Sequence, residues 1–432
     1  MGWEEVRYGC IGEHLGHSFS REIHTMLGDY DYRLCELAPE EVESFLLAKK
    51  FCGINVTIPY KQTVIPYLDE VDPAARRIGA VNTVLHKNGK LIGYNTDYYG
   101  MRALLLRAGI DLRGQQVAIL GSGGTSATAW AVAQDAGAAG IVRVSRHPKK
   151  EGDEIGYAEL YRRADRIGAI INTTPVGMFP HEEELAVDPT AFAHLCGVAD
   201  AVYHPLCTSL VCRAAAMEIP ATGGLYMLVA QAAKAAELFF DDLSMTEKTE
   251  AVFQRILWQK QNIVLIGMPG SGKSTLGRRI ADLTGKAFYD SDALIEARTG
   301  MTCGAYLETR GEEAFRLEET AVLREVSQKS GCVIATGGGA VTRRENTDML
   351  MRNGVTVFLD RPLADIRPTA ERPLTRNREL LERKYAVREP LYREAADVIF
   401  LVYGSPEEAA GRLLETLRRT PEKGGNVICG KY

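Results

Sequence analysis

The sequence lacks several features that would assign it to whole classes of protein. No apolar stretch approaches the length of a membrane span; the segment from Leu225 to Phe240, for example, contains Gln231, Lys234 and Glu237. The nine cysteines are scattered without a Cys-x-x-Cys pair, so we expect reduced thiols and no zinc site. The net charge of −5 gives no reason to expect nucleic acid as a partner. The start of the chain has neither a basic nor an apolar segment, so we expect no secretory signal and a cytoplasmic location.

The length and composition indicate several globular domains. A chain of 432 residues exceeds what one ordinary core supports, and a hydrophobic content of 46% with 25% charged residues is typical of water-soluble proteins. Only Gln259 to Asn262 separate a helical pattern that ends near Trp258 from an apolar strand pattern. Because this segment contains no Gly/Ser-rich or Pro-rich linker, we expect the domains on its two sides to be closely tethered.

A phosphate-binding loop is the clearest motif. The stretch from Gly267 to Thr275 follows the apolar run Ile263 to Ile266 and precedes a helical pattern from Leu276. Strand, glycine-rich loop and helix are the context in which backbone N–H groups cradle phosphates. Lys273 would reach the terminal phosphates and Ser274 a magnesium ion. The sequence therefore predicts a nucleoside triphosphate site made by Gly270, Ser271, Gly272, Lys273, Ser274 and Thr275.

A second glycine turn predicts a dinucleotide-binding fold. The buried-strand pattern from Gln116 to Leu120 leads into a turn composed of Gly121, Ser122, Gly123, Gly124 and Thr125, and then into an Ala-rich helix. The next strand pattern ends in Ser145 and Arg146, with Lys149 and Lys150 nearby, where NAD sites usually carry an acid. A guanidinium suits a 2′-phosphate, so we expect NADP(H). The alternative for Arg146 is an ordinary solvated surface charge.

Polar residues also follow strand patterns in the first 110 residues. Strands alternate with helices there, and Asn88-Gly89 predicts a hairpin turn. The polar residues are Ser18, Ser20, Asn55, Thr57, Lys61, Asn82, Asn95 and Asp97. Most of them have a structural alternative, such as a helix cap for Asp97, Ser18 or Ser20 and a turn residue for Asn82. Lys61 does not, because nothing in its local sequence demands a lysine.

These segments together resemble the shikimate dehydrogenase family over roughly residues 6 to 257. The matching pieces occur in order as His17 to Ser20, Asn55 to Lys61, Gly79 to Thr83, Asn95 to Asp97, the Gly121 turn, Asn172 to Thr174 with Gly177-Met178, Tyr203 to Pro205, and Met227-Leu228 with Gln231. The strand patterns of the second half include Ala199 to Pro205. His14 and Arg21 depart from the family, which commonly has prolines at those positions.

The resemblance implies reduction of 3-dehydroshikimate with NADPH by a two-domain enzyme. Lys61 and Asp97 would be the acid–base pair, and Ser18 and Ser20 would hold the substrate carboxylate. The remaining implied contacts are Thr57, Asn82, Tyr203 and Gln231 to the substrate, and the glycine turn, Ser145, Arg146, Asn172 and Met227 to the cofactor. An ammonium beside a carboxylate suits proton delivery to a forming alkoxide.

The segment from about 261 to 419 resembles shikimate kinase. The matching pieces are the phosphate loop, a strand pattern from Lys286 to Asp292 that ends in two acids, the segment from Thr309 to Glu318, Gly337 to Gly339, Glu371 to Leu374 and Arg388 to Tyr392. The resemblance implies that Asp292, Arg316 and Arg388 bind shikimate against Gly338 and Gly339. Lys273 and Arg372 would stabilise the transferring phosphoryl group, and Ser274 and Asp290 would hold Mg²⁺.

Two of these residues keep an alternative. Arg316 could simply form i,i+4 ion pairs on its Glu-rich helix, and Arg372 could be a solvated surface arginine. The loop from Arg367 to Arg372 also looks shorter than the usual lid of the family, and Thr375 departs from the common Pro-Leu-Leu sequence.

We therefore predict an α/β protein that is a bifunctional enzyme of the shikimate pathway, using NADP(H) and ATP with Mg²⁺ on small-molecule substrates. The expected domains are a substrate domain at 1–108 completed by the helices of 225–257, a Rossmann domain at 109–257, a P-loop kinase domain at 261–419 and a disordered tail at 420–432. The alternatives are quinate or NAD for the first half, another polyol such as gluconate for the second, or one non-catalytic regulatory half. The oligomeric state is left open, with a homodimer as one option.

Overall fold

The computed structural model contains three sheets whose strands alternate with helices, which confirms the predicted α/β class. It describes residues 6–16, 18–148, 153–366 and 377–419. His17, Lys149, Lys150, Arg367, Arg372, Thr375 and the tail from residue 420 lie outside the described residues. The chain forms two compact units. The first is Met1–Val176, Ala186–Tyr203 and Ile219–Leu257, and the second is Gly177–Leu185, His204–Glu218 and Trp258–Tyr432.

The first sheet of the first unit is mixed, with the strand order β2-β1-β3-β5-β6-β4. Its strands are β1 (Tyr8–Gly12), β2 (Tyr32–Glu36), β3 (Gly53–Val56), β4 (Glu70–Val71), β5 (Thr83–Lys87) and β6 (Lys90–Tyr94). Its helices are α1 (Ser20–Leu27), α2 (Val42–Ala48), α3 (Pro73–Ile78) and α4 (Thr96–Arg107). The predicted hairpin is confirmed, because β5 and β6 pair antiparallel around Asn88 and Gly89, whose φ angles of 53° and 78° are those of a tight hairpin turn.

The second sheet of this unit is parallel throughout, with the order β12-β11-β10-β7-β8-β9. Its strands are β7 (Gln116–Leu120), β8 (Gly140–Val144), β9 (Glu154–Ile155), β10 (Ala169–Asn172), β11 (Gly197–Asp200) and β12 (Ala221–Thr222). The helices in this part of the sequence are α5 (Gly124–Asp135), α6 (Tyr157–Arg162), α7 (Ser209–Ala216), α8 (Leu225–Phe240), α9 (Ser244–Glu247) and α10 (Thr249–Lys260). Of these, α7 belongs to the second unit.

The third sheet belongs to the second unit and is also parallel, in the order β14-β15-β13-β16-β17. Its strands are β13 (Asn262–Ile266), β14 (Ala287–Asp290), β15 (Cys332–Ala335), β16 (Gly354–Asp360) and β17 (Val398–Leu401). Its helices are α11 (Lys273–Thr284), α12 (Ser291–Thr299), α13 (Cys303–Arg310), α14 (Glu312–Ser327), α15 (Arg344–Met351), α16 (Arg378–Ala395) and α17 (Pro406–Arg419). Every residue of β13 is buried, as expected for a central parallel strand.

Two predicted strands end earlier than expected, in each case because an aspartate side chain accepts hydrogen bonds from backbone N–H groups that follow it. The predicted strand Ala199 to Pro205 is wrong beyond Asp200, whose Oδ1 accepts a hydrogen bond from Val202 N at 2.9 Å. The predicted strand Lys286 to Asp292 ends at Asp290, whose Oδ1 accepts from Asp292 N at 3.1 Å and so caps α12. Asp292 therefore lies in the first turn of a helix and not at the end of a strand.

Two smaller observations concern the described part of the chain. No described helix combines the length and apolar character that crossing a membrane requires. The sulfur atoms of Cys207 and Cys212 lie only 2.9 Å apart, whereas the sequence led us to expect separate reduced thiols.

Candidate active sites

A lysine–aspartate pair forms the centre of the first candidate site. Lys61 follows β3 and Asp97 lies in the first turn of α4, and Lys61 Nζ donates to Asp97 Oδ2 at 2.6 Å. The two side chains are 16% and 9% exposed, so the pair is largely shielded from water. The cap of α4 is Asn95, whose Oδ1 accepts from Tyr98 N at 3.1 Å. Capping therefore does not account for Asp97, which is left to pair with the ammonium group.

An amide network fixes the second oxygen of Asp97. Asn82 Nδ2 donates to Asp97 Oδ1 at 2.9 Å, and Asn82 Oδ1 accepts from Thr96 N at 2.6 Å. The Gln231 side chain of α8 completes the network, since its Oε1 lies 3.4 Å from Asn82 Nδ2. Helix α8 comes this close because α4 has Gly100 at the contact, where a Cβ would lie 2.6 Å from a backbone oxygen of α8. The network thus joins three residues that the sequence predicted separately and adds Thr96.

The two serines lie together at the start of α1. Ser18 Oγ donates to Ser20 Oγ at 3.1 Å, while Phe19 between them occupies the N-cap position without a side-chain cap bond. The Phe19 ring packs against Tyr203 at a centroid distance of 5.2 Å, which brings Tyr203 beside the serine pair. Burial raises the pKa of the Tyr203 hydroxyl to about 12, so it is a neutral donor at ordinary pH. Thr57 is half-buried directly after β3.

The glycine turn after β7 has the geometry that a dinucleotide needs. Gly121 has a φ of +110°, and a Cβ on it would lie 2.8 Å from Thr173 Oγ1. Gly123 is the N-cap of α5 without a side-chain cap bond, and open space lies where its Cβ would be. The N–H groups of the first helical turn are therefore available to a pyrophosphate. A Cβ on Gly124 would lie 3.8 Å from Lys61 Cδ, so the turn adjoins the acid–base pair.

The other predicted cofactor contacts occupy different environments. Arg146 is exposed after the end of β8, and Ser145 Oγ there accepts from His147 N at 3.2 Å. Met227 is 7% exposed on α8. Asn172 is completely buried, and its amide donates to Asp200 Oδ1 at 2.9 Å, so its side chain shapes the loop after β10. Arg146 and Ser145 therefore remain accessible to a cofactor, Met227 is almost completely buried, and the Asn172 amide is hydrogen-bonded within the protein.

The phosphate loop after β13 has an open anion cradle. Gly267, Gly270 and Gly272 have φ angles of +144°, +84° and +100°, a backbone conformation that residues other than glycine rarely adopt. Gly272 is the N-cap of α11 and makes no side-chain cap bond. Lys273 Nζ donates to the carbonyl oxygens of Gly267 and Met268, each at 2.9 Å. Ser271 Oγ is buried and has no hydrogen-bond partner among the described residues. The Ser271 hydroxyl and the N-terminus of α11 fit a nucleotide phosphate chain.

A cavity of about 440 Å³ adjoins this loop. It brings together most of the residues predicted for the kinase site. They are Gly270, Gly272, Lys273, Ser274, Thr275, Asp290, Asp292, Arg316, Gly338, Gly339 and Arg388. Among the other wall residues, for which no role was predicted, are Cys303, Phe315, Glu319, Thr336 and Arg361. The Glu-rich pattern around Arg316 was a usable signal for Glu319, whereas nothing local distinguished the others.

Arg316 is held in the cavity wall by a buried ion pair. Its Nη1 donates to Glu319 Oε2 at 2.6 Å, and the two side chains are 8% and 0% exposed. A weaker ion pair joins Arg316 to Glu312 at 3.4 Å, so Arg316 does form the ion pairs on its own helix that the alternative predicted. The guanidinium nevertheless faces the strand-end glycines, because a Cβ on Gly339 would lie 2.2 Å from Arg316 Nη2. The same side chain is therefore both paired and part of the cavity wall.

The carboxyls around the cavity have perturbed acidities. Desolvation raises the pKa of Asp292, while the charges of Lys273 and Arg316 oppose the rise. Desolvation likewise raises the pKa of Glu319, and its ion pair with Arg316 opposes the rise. Arg388 is 3% exposed on α16, beside Tyr392, whose hydroxyl donates to Gly338 O at 2.5 Å. The cavity is thus rich in arginine and lysine, with acids at defined points.

Comparison with known proteins identifies both parts of the chain. Residues 10–84 match the family model of the shikimate dehydrogenase substrate binding domain. The shikimate dehydrogenase (NADP(+)) of Clostridium perfringens (strain SM101 / Type A) is 37% identical over 259 residues, which is 56% of this chain and 95% of the relative. The chain belongs to the shikimate dehydrogenase family. Residues 269–418 match the shikimate kinase family model, so the predicted fusion of the two domains is confirmed.

Solved structures give the same result for the dehydrogenase part. Shikimate dehydrogenase 1 from Peptoclostridium difficile is 33% identical, with a TM-score of 0.53, and the match covers 58% of this chain and 97% of that one. A chorismate mutase/shikimate 5-dehydrogenase fusion protein from Clostridium acetobutylicum is 36% identical, with a TM-score of 0.53, over 58% of this chain and 96% of that one. Shikimate dehydrogenase thus occurs fused to a different second domain in that relative.

Proposed function

We propose that this chain reduces 3-dehydroshikimate to shikimate with NADPH at its first site and phosphorylates shikimate with ATP at its second. Family membership supports both reactions, and NADP(+) in the name of the relative supports the choice of dinucleotide. The observation that carries the first reaction is the shielded 2.6 Å contact of Lys61 with Asp97 beside a glycine turn. The second is carried by the cavity that combines Lys273 with Asp292, Arg316 and Arg388.

At the dehydrogenase site the residues of the chain manage the proton. NADPH supplies the hydride, and the reduced carbonyl oxygen then needs a proton. Lys61 donates it from Nζ, while Asp97 orients the ammonium and Asn82 holds the carboxylate. Hydroxyl donors for the substrate carboxylate come from Ser18, Ser20 and Tyr203. Thr57 and Gln231 bind the hydroxyl groups of the substrate ring. Arg146 holds the 2′-phosphate.

At the kinase site the residues position two substrates and neutralise charge. Arg316 and Arg388 bind the shikimate carboxylate, and Asp292 accepts the hydrogen bond of the attacking hydroxyl. Lys273 exchanges its two loop carbonyls for phosphate oxygens. Ser274 and Asp290 would hold Mg²⁺, which would supply further neutralisation of the phosphates. Arg372 is proposed for the same task from its sequence motif, and the domain limits 1–108, 109–257 and 261–419 stay proposals as well.

The proposal is tested by supplying 3-dehydroshikimate, NADPH and ATP–Mg²⁺ to the full chain and following both products. Shikimate 3-phosphate should form with one NADPH and one ATP consumed for each molecule. Accumulation of shikimate without phosphate ester would reject the kinase activity. Quinate with NAD and gluconate with ATP are the competing substrates, and a higher kcat/KM for either would reject the corresponding half of the proposal.

A further inference from the structure

Arg361 lies beside the phosphate loop at the same edge of the third sheet. It directly follows β16, and β16 pairs in parallel with β13, the strand that leads into the loop. The carboxyl ends of neighbouring parallel strands meet at one sheet edge. Arg361 accordingly lines the same cavity as Lys273 and Ser274.

The guanidinium of Arg361 has an unused donor within the described part of the protein. Its Nε is buried without a hydrogen-bond partner among the described residues. The adjacent carboxylate, Asp360, is engaged elsewhere, since its Oδ2 accepts from Arg393 at 3.1 Å. A buried donor without a partner is costly, and a guanidinium has five N–H donors to satisfy. This contrasts with Arg316, whose guanidinium is held by Glu319.

The Arg361 guanidinium also points at the part of the loop that receives phosphate. Its Nη1 is 3.9 Å from the position that a Cβ on Gly272 would occupy. Gly272 has no side chain, so no N-cap side chain occupies the N-terminus of α11 next to the guanidinium. Backbone donors, a helix N-terminus and a planar cation therefore converge on one small volume, which is the chemistry that binds phosphate.

We propose that Arg361 binds the phosphate chain of the nucleotide, as a further cation beside Lys273. This inference rests on the proposed kinase function. The contact is made to the phosphates that the loop cradles, which remain on ADP after transfer of the terminal group. Arg361 therefore contributes to the affinity for both ATP and ADP. Replacing Arg361 should leave the affinity for shikimate unchanged, because Arg316 and Arg388 bind the shikimate carboxylate.

The test compares Arg361→Gln and Arg361→Lys in the full chain, with Arg344→Gln as the control. Arg344 lies on α15 with its side chain 75% exposed, so its replacement removes the same charge away from the cavity. Arg361→Gln should raise the Kd of ADP and the KM of ATP together by about tenfold or more, with the KM of shikimate within twofold. Arg361→Lys should retain part of the affinity, and Arg344→Gln all of it.

An ADP Kd within twofold of wild type for Arg361→Gln would overturn the inference, as would an equal loss in Arg344→Gln. The shikimate KM of each variant reports whether the second unit is intact, and its dehydrogenase turnover reports the same for the first unit. The two proposals fail differently. If the wild-type chain binds ADP but forms none in response to shikimate, the kinase function is wrong, while the ADP titration still decides the role of Arg361.

Discussion

Gly339→Ala tests whether the strand-end glycine exists to admit the Arg316 guanidinium. The three atoms nearest to an added Cβ are Nη2, Cζ and Nη1 of Arg316, at 2.2 to 2.3 Å. Contacts between such atoms need about 3.5 Å, so the guanidinium would have to withdraw by roughly 1 Å. It is the end of a flexible side chain and moves more easily than backbone. The substitution should therefore displace the cation without unfolding the domain.

The magnitude follows from the bond that the displaced guanidinium would lose. A hydrogen bond to a charged group contributes about 1.5–3 kcal/mol, which corresponds to roughly a 10- to 100-fold change in affinity. We expect the KM of shikimate to rise by that factor in the kinase assay, with the KM of ATP nearly unchanged. Initial rates at varied shikimate and saturating ATP–Mg²⁺ measure it.

The chain provides two controls for Gly339→Ala. The dehydrogenase reaction of the same molecule should be unaffected. Gly411→Ala makes the same chemical change on α17 at a position with nothing within 4 Å. A KM for shikimate within twofold of wild type, at an unchanged melting temperature, would refute the reasoning. It would mean that Arg316 does not bind the substrate, or that its guanidinium can withdraw without loss.

Three other predictions concern different residues. Lys61→Ala should lower dehydrogenase kcat by orders of magnitude with little change in NADPH affinity, and near-normal turnover would remove Lys61 from the chemistry. Arg146→Gln should raise the KM of NADPH but not that of NADH, and an equal change in both would argue against a 2′-phosphate contact. Burial raises the pKa of Asp397 from 3.8 to about 7, so its favourable contribution to stability is full below 3.8 and is lost as the pH rises through 7. Asp397→Asn should therefore raise the melting temperature of the second unit more at pH 8 than at pH 5. A pH-independent difference would contradict the raised pKa of Asp397.

The sequence was most informative where the backbone itself makes the site. The φ angles of Gly121 and Gly272, +110° and +100°, demand glycine, and a required glycine can be identified directly in the sequence. The order of strands and helices was equally accessible. Strand ends were less so, because Asp200 and Asp290 end their strands through side-chain bonds to nearby N–H groups, and an aspartate can make such a bond at many positions.

Contacts between distant segments were not accessible from local pattern. Thr96 and Gln231 are 135 residues apart and approach to 3.4 Å only because Gly100 lets α8 close on α4. Glu319 lies three residues after Arg316, which fits an ordinary surface ion pair. Its complete burial appears only once α14 is placed against the glycine-rich end of β15. Sequence spacing gives the partner in such a case but not the dielectric environment that makes the partnership necessary.

Two of the three arginines that line the kinase cavity, Arg316 and Arg361, illustrate why this environment decides function. A cation that the protein already pairs, as Glu319 pairs Arg316, is fixed in direction before any ligand arrives, so little ordering is needed when a carboxylate binds. Arg361, by contrast, has a buried Nε donor without a hydrogen-bond partner among the described residues, so an anion can supply the acceptor. The first arrangement favours discrimination between ligands, whereas the second favours affinity for any phosphate chain. It follows that replacing Glu319 by Gln should weaken shikimate selectivity, while the loss of Arg361 should weaken nucleotide binding alone.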